Sequence, residues 1–523
     1  MSISLPWSQL PDQSQIYQNY LSDPSWREEY LGYQINSLDD VEKVAKEKRK
    51  KNYFRDEISI IIKNYINKLS SSFISPAVKK NIEKIKDPET CFIITGQQPA
   101  LLGGPLYNFY KAQSIIQIAK ELESKTGKPY IPLFWVGSND HDVAEANRNY
   151  YLDKNKRLSK ITFNFKDQIP LNLLDVGEGF EKDIASLKNS IGRTDYFDQA
   201  INFLEPDKVD HFGTWQSRIL LKTFSEDGLL VIEPNELRSV SKNAFKILLE
   251  NESKIINAIE VQNKKLRKLN LSPQVDNDVT SRFMMFQKSN DRIRLTHKDN
   301  KWIANDKSYV IEELIELNFK GELDLTPDAL GRPLWQDLLF PAVAYIGGPG
   351  EIAYYHQLKK AYECLDLNMP VILPRISATF LENTQLKFLK KNQIEIVNYA
   401  SLYDWGNVPT SGAYPEQNVS EILKSWSERV KFSAGKDELE KFRKKLLDLN
   451  NRFYRTMENI RLKEEGIGNK QLDEFKDFVF PLNGLQERSI GLMQMISKHG
   501  ESIIDHIKQI EYEFGQHHII ELG

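Results

Sequence analysis

Residues 91–136 read CFIITGQQPALLGGPLYNFYKAQSIIQIAKELESKTGKPYIPLFWV. Cys91–Thr95 is a short apolar run with the length of a buried strand. A Gly-rich turn, TGQQPALLGGP, follows over 95–105. Phe109, Ala112, Ile116, Ala119 and Leu122 then recur at helical spacing, and Thr126–Gly127 closes the helix. Pro105 suits the first turn, where a missing N–H costs little. Ile131–Val136 is a second apolar strand. Strand, turn, helix and strand within about 45 residues predict a βαβ unit with a parallel strand pair and a right-handed crossover. The loops after Thr95 and Val136 both fall at the carboxyl edge, where such sheets bind ligands.

The pattern returns downstream. Gly228–Glu233 (GLLVIE) reads as a buried strand, Pro341–Ile346 as another, Ile352–Leu365 as a helix and Val371–Pro374 as a further strand. The fold class expected is α/β, with a Rossmann-like parallel-sheet core. His518–Leu522 (HIIEL) is expected to return to that sheet as a last strand. The boundaries predicted are a helical lead-in and first core part over 1–155, insertion one over 156–224, a core strand over 225–235, and insertion two over 236–324. Core follows over 325–382, a helical arm over 383–479, and a C-terminal core segment over 480–523. In the lead-in, Ile58, Ile62, Ile66 and Leu69 share a helix face. Insertion one opens with the alternating SKITFNFKD of Ser159–Asp167, and insertion two carries the short strands RIRLTH and KWIAN. In the arm, Leu439, Phe442, Leu446, Leu449, Phe453, Met457 and Ile460 step by three and four, a heptad-like seam. Helix packing or a dimer contact explains it better than a nucleic-acid arm, and Leu472, Phe475 and Phe478 suit a returning helix.

The chain has 523 residues, 40% hydrophobic and 27% charged, with a formal net charge of −3. That balance excludes a global basic coat for nucleic acid or anionic membrane. Two cysteines exclude a disulfide framework and a Cys-rich zinc module. Cys91 opens a strand and Cys364 sits late in a helix, so both are expected to be packed. MSISLPWSQL has no signal-peptide pattern, and no apolar stretch is long enough to span a bilayer. The expectation is a cytoplasmic enzyme.

Five segments can carry chemistry. In the first, Gly96, Gly103 and Gly104 allow close backbone approach before a helix N-terminus, a natural anion site. Gln97 and Gln98 add amide donors and acceptors, with Tyr107 and Asn108 close behind. The segment matches neither GxxxxGK[ST] nor GxGxxG, and a tight ligand-free connection is the plain alternative. The second is GSNDHD over 137–142, with Asn139, Asp140, His141 and Asp142. A carboxylate can orient the imidazole or bind an ammonium group. A metal is the weaker reading, because three adjacent residues converge poorly. The third is GGPGEIAYYHQLK over 347–359, with Gly348, Gly350, Glu351 and Tyr354, where Glu351 also suits a helix cap. The fourth is Arg375, just past a strand and suited to a phosphate, a carboxylate or an internal salt bridge. The fifth is Gln486 and Arg488, before the last helix, which can contact a nucleotide or form a surface ion pair. There is no GxSxG and no activated-cysteine context.

The sequence resembles the bacillithiol biosynthesis cysteine-adding enzyme family, BshC. The resemblance rests on TGQQPALLGGPLYNFYK, PLFWVGSNDHDVAEAN, LLFPAVAYIGGPGEIAYYHQLK, VILPRISATFLE and PLNGLQERS, in that order, and covers essentially the whole chain. It implies a core related to class I aminoacyl-tRNA synthetases and nucleotidyltransferases, two connecting insertions, and a coiled coil that supports a homodimer. The implied reaction joins cysteine to glucosaminyl-malate. The turn at 103–106 stands where those relatives carry HIGH; this chain has neither HIGH nor KMSKS. Amide formation from a free carboxylate needs activation, so ATP or ADP is expected, and no metal. In that reading Asp140, His141 and Glu351 hold the cysteine ammonium or sugar hydroxyls, His141 or Asp142 acts as base, and Arg375 and Arg488 bind carboxylates or phosphates. The alternatives are another amino-acid-activating ligase or nucleotidyltransferase on the same core, or a coiled-coil scaffold with a relict nucleotide fold.

Overall fold

The structure is a computed structural model that describes residues 2–11, 13–163, 169–176, 180–191, 194–276, 281–286, 292–299, 301–305, 307–403 and 469–522, with isolated positions between 438 and 460. Its chain divides into two compact units. One gathers Leu5–Ala378 and Glu487–His518; the other gathers Met1–Ser4, Thr379–Gln486 and Ile519–Gly523.

The first unit is built on β1 (Cys91–Gln97), α1 (Tyr107–Thr126), β2 (Tyr130–Val136), α2 (Phe212–Phe224) and β3 (Leu230–Ile232). Then come α3 (Gly331–Leu339), β4 (Ala342–Gly347), α4 (Pro349–Tyr355) and β5 (Val371–Pro374). The five strands form one all-parallel sheet in the order β5-β4-β1-β2-β3. β1 and β2 run in unbroken register from Cys91 opposite Tyr130 to Gln97 opposite Val136. Both strands are buried almost throughout, which is why they read as continuous apolar runs rather than alternating ones. The chain works outward from β1 through β2 to β3, then crosses to β4 and β5 on the other side. β1 and β4 therefore flank the topological switch point, where open α/β sheets bind ligands. There the Thr95 hydroxyl donates to Ile346 O across the two strands at 2.7 Å. Gly96 is required by packing, because a Cβ would stand 3.0 Å from Trp135 O and 3.3 Å from Trp135 Cβ.

The lead-in helix Arg55–Leu69 buries Ile58, Ile62, Ile66 and Leu69, as their spacing predicts. The helix Asp39–Lys48 is tied to α3 by a buried ion pair, Lys48 Nζ to Asp337 Oδ2 at 2.6 Å. Burial pushes the Asp337 carboxyl up to about 6 despite the ammonium beside it. The hairpin Arg148–Leu152 with Leu158–Thr162 spans the expected start of insertion one at 156, and Phe283–Phe286 and Arg292–Arg294 of insertion two form a sheet with Asp324–Pro327 at its end, Phe283–Phe286 central.

Three expectations need correction. The predicted helix over Ile352–Leu365 is two shorter ones, α4 and Lys359–Cys364, broken at His356–Leu358. His356 is buried there, with Nε2 accepting from Trp26 Nε1 at 2.8 Å and Nδ1 2.7 Å from Ile352 O. The C-terminal strand, Gln516–Leu522, does not join the core sheet; it is the middle strand of a separate three-stranded sheet with Ser2–Pro6 and Ser377–Glu382. Cys91 is buried as expected, but Cys364 is exposed on the last turn of its short helix.

In the second unit, Asn383–Lys391 and Asn469–Val479 pack through Phe388 and Phe475, with ring centroids 5.1 Å apart. Leu472, Phe475 and Phe478 are buried. Leu439 lies outside the described residues, whereas Phe442, Leu449, Phe453, Met457 and Ile460 are helical and exposed.

The Lys48–Asp337 pair generates a stability test. Breaking one half of a buried pair leaves a bare buried charge and costs about 3–5 kcal/mol. Lys48→Met should lower the unfolding free energy by that order in urea titrations, and Lys48→Met with Asp337→Leu should recover most of it.

Candidate active site

A cavity of about 430 Å3 opens at the switch point. Its floor is the carboxyl edge of the sheet: Gly96, Gln97 and Gln98 after β1, Trp135 on β2, and Tyr345 on β4. The Gly137–Asp142 loop contributes Gly137, Asn139, Asp140 and His141, and α4 contributes Glu351 and Tyr354. Met284, Arg292 and Arg294 of insertion two, Asp328 just before α3, and Arg332 at the start of α3 form the remaining wall.

The loop after β2 is folded around Asp140. Its Oδ1 accepts the N–H groups of His141 at 2.7 Å and Asp142 at 3.2 Å, and its Oδ2 accepts the Gln98 amide. Backbone bonds from Asn172 N to Ser138 O and Leu171 N to Asp140 O, both 2.8 Å, pin the loop from insertion one. His141 is exposed at the rim, with Nδ1 3.6 Å from Asp140 Oδ1. Asp142 does not line the cavity; its Oδ1 caps the helix Val143–Ala146 by accepting Glu145 N at 2.9 Å.

Across the switch point, Glu351 at the start of α4 accepts Gly348 N at 2.9 Å. It also accepts the Tyr345 hydroxyl at 2.6 Å and pairs with the buried Lys111 ammonium. Burial alone raises such a carboxyl, but Lys111, the Gly348 N–H and Tyr345 outweigh it and hold Glu351 below its ordinary value. Burial lowers Lys111 from the ordinary lysine value, with Glu351 acting against the shift. Lys111 also donates to Gly96 O and Gln97 Oε1, each at 2.8 Å.

Three arginines give the far wall its charge. Arg292 and Arg294 alternate on one strand and so share a face. Arg292 Nη1 lies 3.9 Å from Asp140 Oδ1, and Arg294 Nη1 lies 3.3 Å from Asp328 Oδ2. Arg332 donates to the Tyr354 hydroxyl at 2.7 Å. Arg282, packed behind them, is 3.3 Å from Asp328.

Two family descriptions match this chain: "Bacillithiol biosynthesis BshC, N-terminal Rossmann-like domain" over residues 4–376 and "Bacillithiol biosynthesis BshC, C-terminal coiled-coil domain" over 431–522. The chain belongs to the bacillithiol biosynthesis BshC family. Among its relatives, a protein of Natranaerobius thermophilus is 29% identical, with 94% of each chain covered, and one of Bacillus cereus is 26% identical, covering 91% of this chain and 92% of the other. Both relatives carry the name "Putative cysteine ligase BshC".

For this BshC-family chain, the cavity brings together Gly96, Gln97, Gln98, Asn139, Asp140, His141, Glu351 and Tyr354 from three separate sequence segments. The other sequence candidates lie elsewhere. Gly103 and Gly104 form a covered turn: Pro105 bridges to Gly491, Leu106 N donates to Ile490 O at 2.9 Å, and Gly491 packs so closely that a Cβ there would stand 2.6 Å from Gly104 O. Gly104 itself has φ +70°, where a Cβ would meet Asn108 Nδ2 at 2.7 Å. Asn108 is buried and donates to Gly103 O at 3.1 Å, so it braces the turn. Gly348 and Gly350 shape the start of α4 without lining the cavity. Arg375 is buried, pairs with Glu487 at 2.6 Å, and stacks near Trp7 and Tyr107. Gln486 spends its amide on Phe380 N, Phe380 O and Phe478 O. Arg488 is exposed and outside the lining.

Sequence reading passed over Lys111, Tyr345, Arg292, Arg294, Asp328 and Arg332. The i, i+2 arginines of RIRLTH were the available signal, since a half-exposed strand presents both on one side. Among the described residues, no group of three or more His, Cys, Asp or Glu side chains is placed to hold a metal ion, and no helix is long and apolar enough to cross a membrane.

Glu233, following β3, supports the same loop from below. It is fully buried and accepts the Tyr65 hydroxyl at 2.7 Å and the Ser138 hydroxyl. Burial pushes its carboxyl up from 4.5 to about 7, against those two donors. Native Glu233 therefore retains a proton that the unfolded chain has released, and its stabilising contribution is full below the unfolded value and lost as pH rises to the folded one. Between roughly pH 5 and 8 the native protein should lose about 3 kcal/mol relative to Glu233→Gln. Urea titrations of both proteins across that range measure the difference.

Proposed function

We propose that this chain is a ligase that joins the carboxylate of L-cysteine to the amine of glucosaminyl-malate through an amide bond. The observation that carries the reading is the row of arginines on one wall of the switch-point cavity. Arg292, Arg294 and Arg332 line it opposite Asp140, Asp328 and Glu351, with Lys111 beside Glu351 and Arg282 beside Asp328. Guanidinium forks favour planar anions such as the two carboxylates of a malate group, and Arg292 and Arg294 present two such forks on one strand face. The names of the relatives support the cysteine half of the reaction. The near-neutral chain as a whole needs no larger basic surface, because the substrates are small.

The attacking amine must lose its proton. His141 is the base in this scheme: it lines the cavity, whereas Asp140 already accepts three donors and Asp142 caps a helix. Asp140 lies beside the imidazole, with Oδ1 3.6 Å from His141 Nδ1. A free carboxylate needs activation before it yields an amide, and ATP is the proposed co-substrate. The Gly103–Gly104 turn and Gln486 do not fit a nucleotide cradle, since the first is covered and the second is spent on backbone groups. The exposed arm side chains Phe442, Leu449, Phe453, Met457 and Ile460 support pairing of two copies, in the cytoplasm.

Purified protein given cysteine, glucosaminyl-malate and ATP should yield the cysteinyl amide by mass spectrometry, and absence of that product sinks the proposal. Cysteine-dependent pyrophosphate exchange tests the activation, which falls if neither AMP nor ADP accumulates during synthesis. Replacing Arg292 and Arg294 with alanine should raise KM for glucosaminyl-malate by about 10- to 100-fold, the scale of lost charge-assisted hydrogen bonds, and leave KM for cysteine nearly unchanged. Light scattering should show a dimer that Leu449→Glu with Met457→Glu converts to monomer.

A further inference from the structure

Gln97 and Gln98 are adjacent, both line the cavity, and each has one end of its amide committed to a partner of fixed chemistry. A lysine ammonium has three protons to donate and no lone pair to accept with. Lys111 therefore takes the oxygen of Gln97, and the Gln97 NH2 is left without a partner among the described residues. An ionised carboxylate only accepts. Asp140 therefore takes the NH2 of Gln98, and the Gln98 oxygen is left without a partner among the described residues. Neither amide can flip without placing donor against donor or acceptor against acceptor. Lys111 is buried, and its three bonds to Gly96 O, Gln97 Oε1 and Glu351 use every proton it has. It has no donor left for a ligand, so its influence on the cavity passes through the groups it holds.

We propose that Gln97 and Gln98 together read an α-amino-acid zwitterion: the Gln97 NH2 donates to the carboxylate, the Gln98 oxygen and Asp140 accept from the ammonium, and Lys111 is the positioning residue that sets this polarity. The assignment rests on the cysteine half of the reading above and deepens it. It orients the substrate, with its ammonium toward the Gly137–Asp142 loop and its carboxylate toward the β1–α4 side of the cavity. The malate end is left to the arginines of insertion two. Specificity follows from the cost of mispairing, because a molecule lacking either charged group leaves an amide end unsatisfied in a confined site.

Calorimetric titration of the full-length protein tests it with four probes: cysteine, cysteamine (no carboxylate), 3-mercaptopropionate (no ammonium) and serine. Gln97→Glu still offers Lys111 an acceptor but opposes the substrate carboxylate with a second one. The expected result is at least a tenfold loss of affinity for cysteine and 3-mercaptopropionate, with cysteamine unchanged or tighter. Equal weakening of cysteine and cysteamine, or no effect on cysteine, overturns the proposal. Lys111→Gln, checked for folding by circular dichroism, frees the Gln97 amide to rotate; cysteine affinity should fall as in Gln97→Glu, and Lys111→Arg should restore part of it. Undiminished cysteine binding by a folded Lys111→Gln protein removes the positioning role. If serine binds and cysteine does not, with the same response to Gln97→Glu, the zwitterion assignment stands and the cysteine reading fails. Failure of any α-amino acid to bind overturns the assignment, and the product assay then judges the ligase reading separately.

Discussion

A buried ammonium group has to find acceptors for its protons, and Lys111 finds all of them at the seam where the strand order of the parallel sheet reverses. One lies on the backbone of β1, one on the side chain that ends β1, and one on the first turn of α4. Those partners come from segments about 250 residues apart in sequence. Removing the lysine would leave Glu351 without its cation in a site that burial already makes unfavourable for charge. Glu351 is held below its ordinary value because Lys111 lies beside it, whereas burial lowers Lys111 against the pull of Glu351. The α4 turn, the amide polarity of Gln97 and the floor of the cavity thus share one electrostatic anchor.

Around that anchor the cavity is assembled from parts with separate duties. The Gly137–Asp142 loop organises itself on Asp140 and is braced from beneath by Ser138 and Glu233. Insertion two brings a strand whose paired arginines face the sheet edge, and α3 adds Arg332 beside Tyr354. The turn at Gly103–Gly104, which resembles a place for an anion when read as sequence, is instead covered by Ile490 and Gly491. A helix N-terminus binds anions only where its N–H groups are open to the ligand, and here the first of them, Leu106 N, is already bonded to Ile490 O.

Much of the fold was legible because its signals are local. Cys91–Gln97, Tyr130–Val136 and Ala342–Gly347 are continuous apolar runs, and strands buried on both faces leave that trace wherever they occur. Gln97, Gln98, Asp140, His141 and Glu351 stood out because polar residues directly after buried strands lie at the carboxyl edge. Arg375 stands in the same kind of position and yet meets Glu487, more than a hundred residues later, so its ion pair was invisible to any local reading. Lys111 was hidden for the opposite reason: a lysine on an otherwise apolar helix face reads as a snorkelling surface residue until the partner carboxylate is known. The C-terminal strand was recognisable as a strand, but its sheet depends on pairing with Ser2–Pro6 and Ser377–Glu382, which no local pattern encodes.

By itself, the sequence determined the α/β class, the βαβ units, the edge of the sheet at which the cavity opens, and the family to which the chain belongs. Those follow from hydrophobic periodicity, turn chemistry and motif order, all carried by neighbouring residues. Only the tertiary structure decided which charged groups face the cavity and which are consumed within the protein, which end of each glutamine amide is free, and which arginines form the wall. Those outcomes depend on pairing between distant segments, and the free energy of a buried charge is set by the partner it meets, not by its neighbours in the chain.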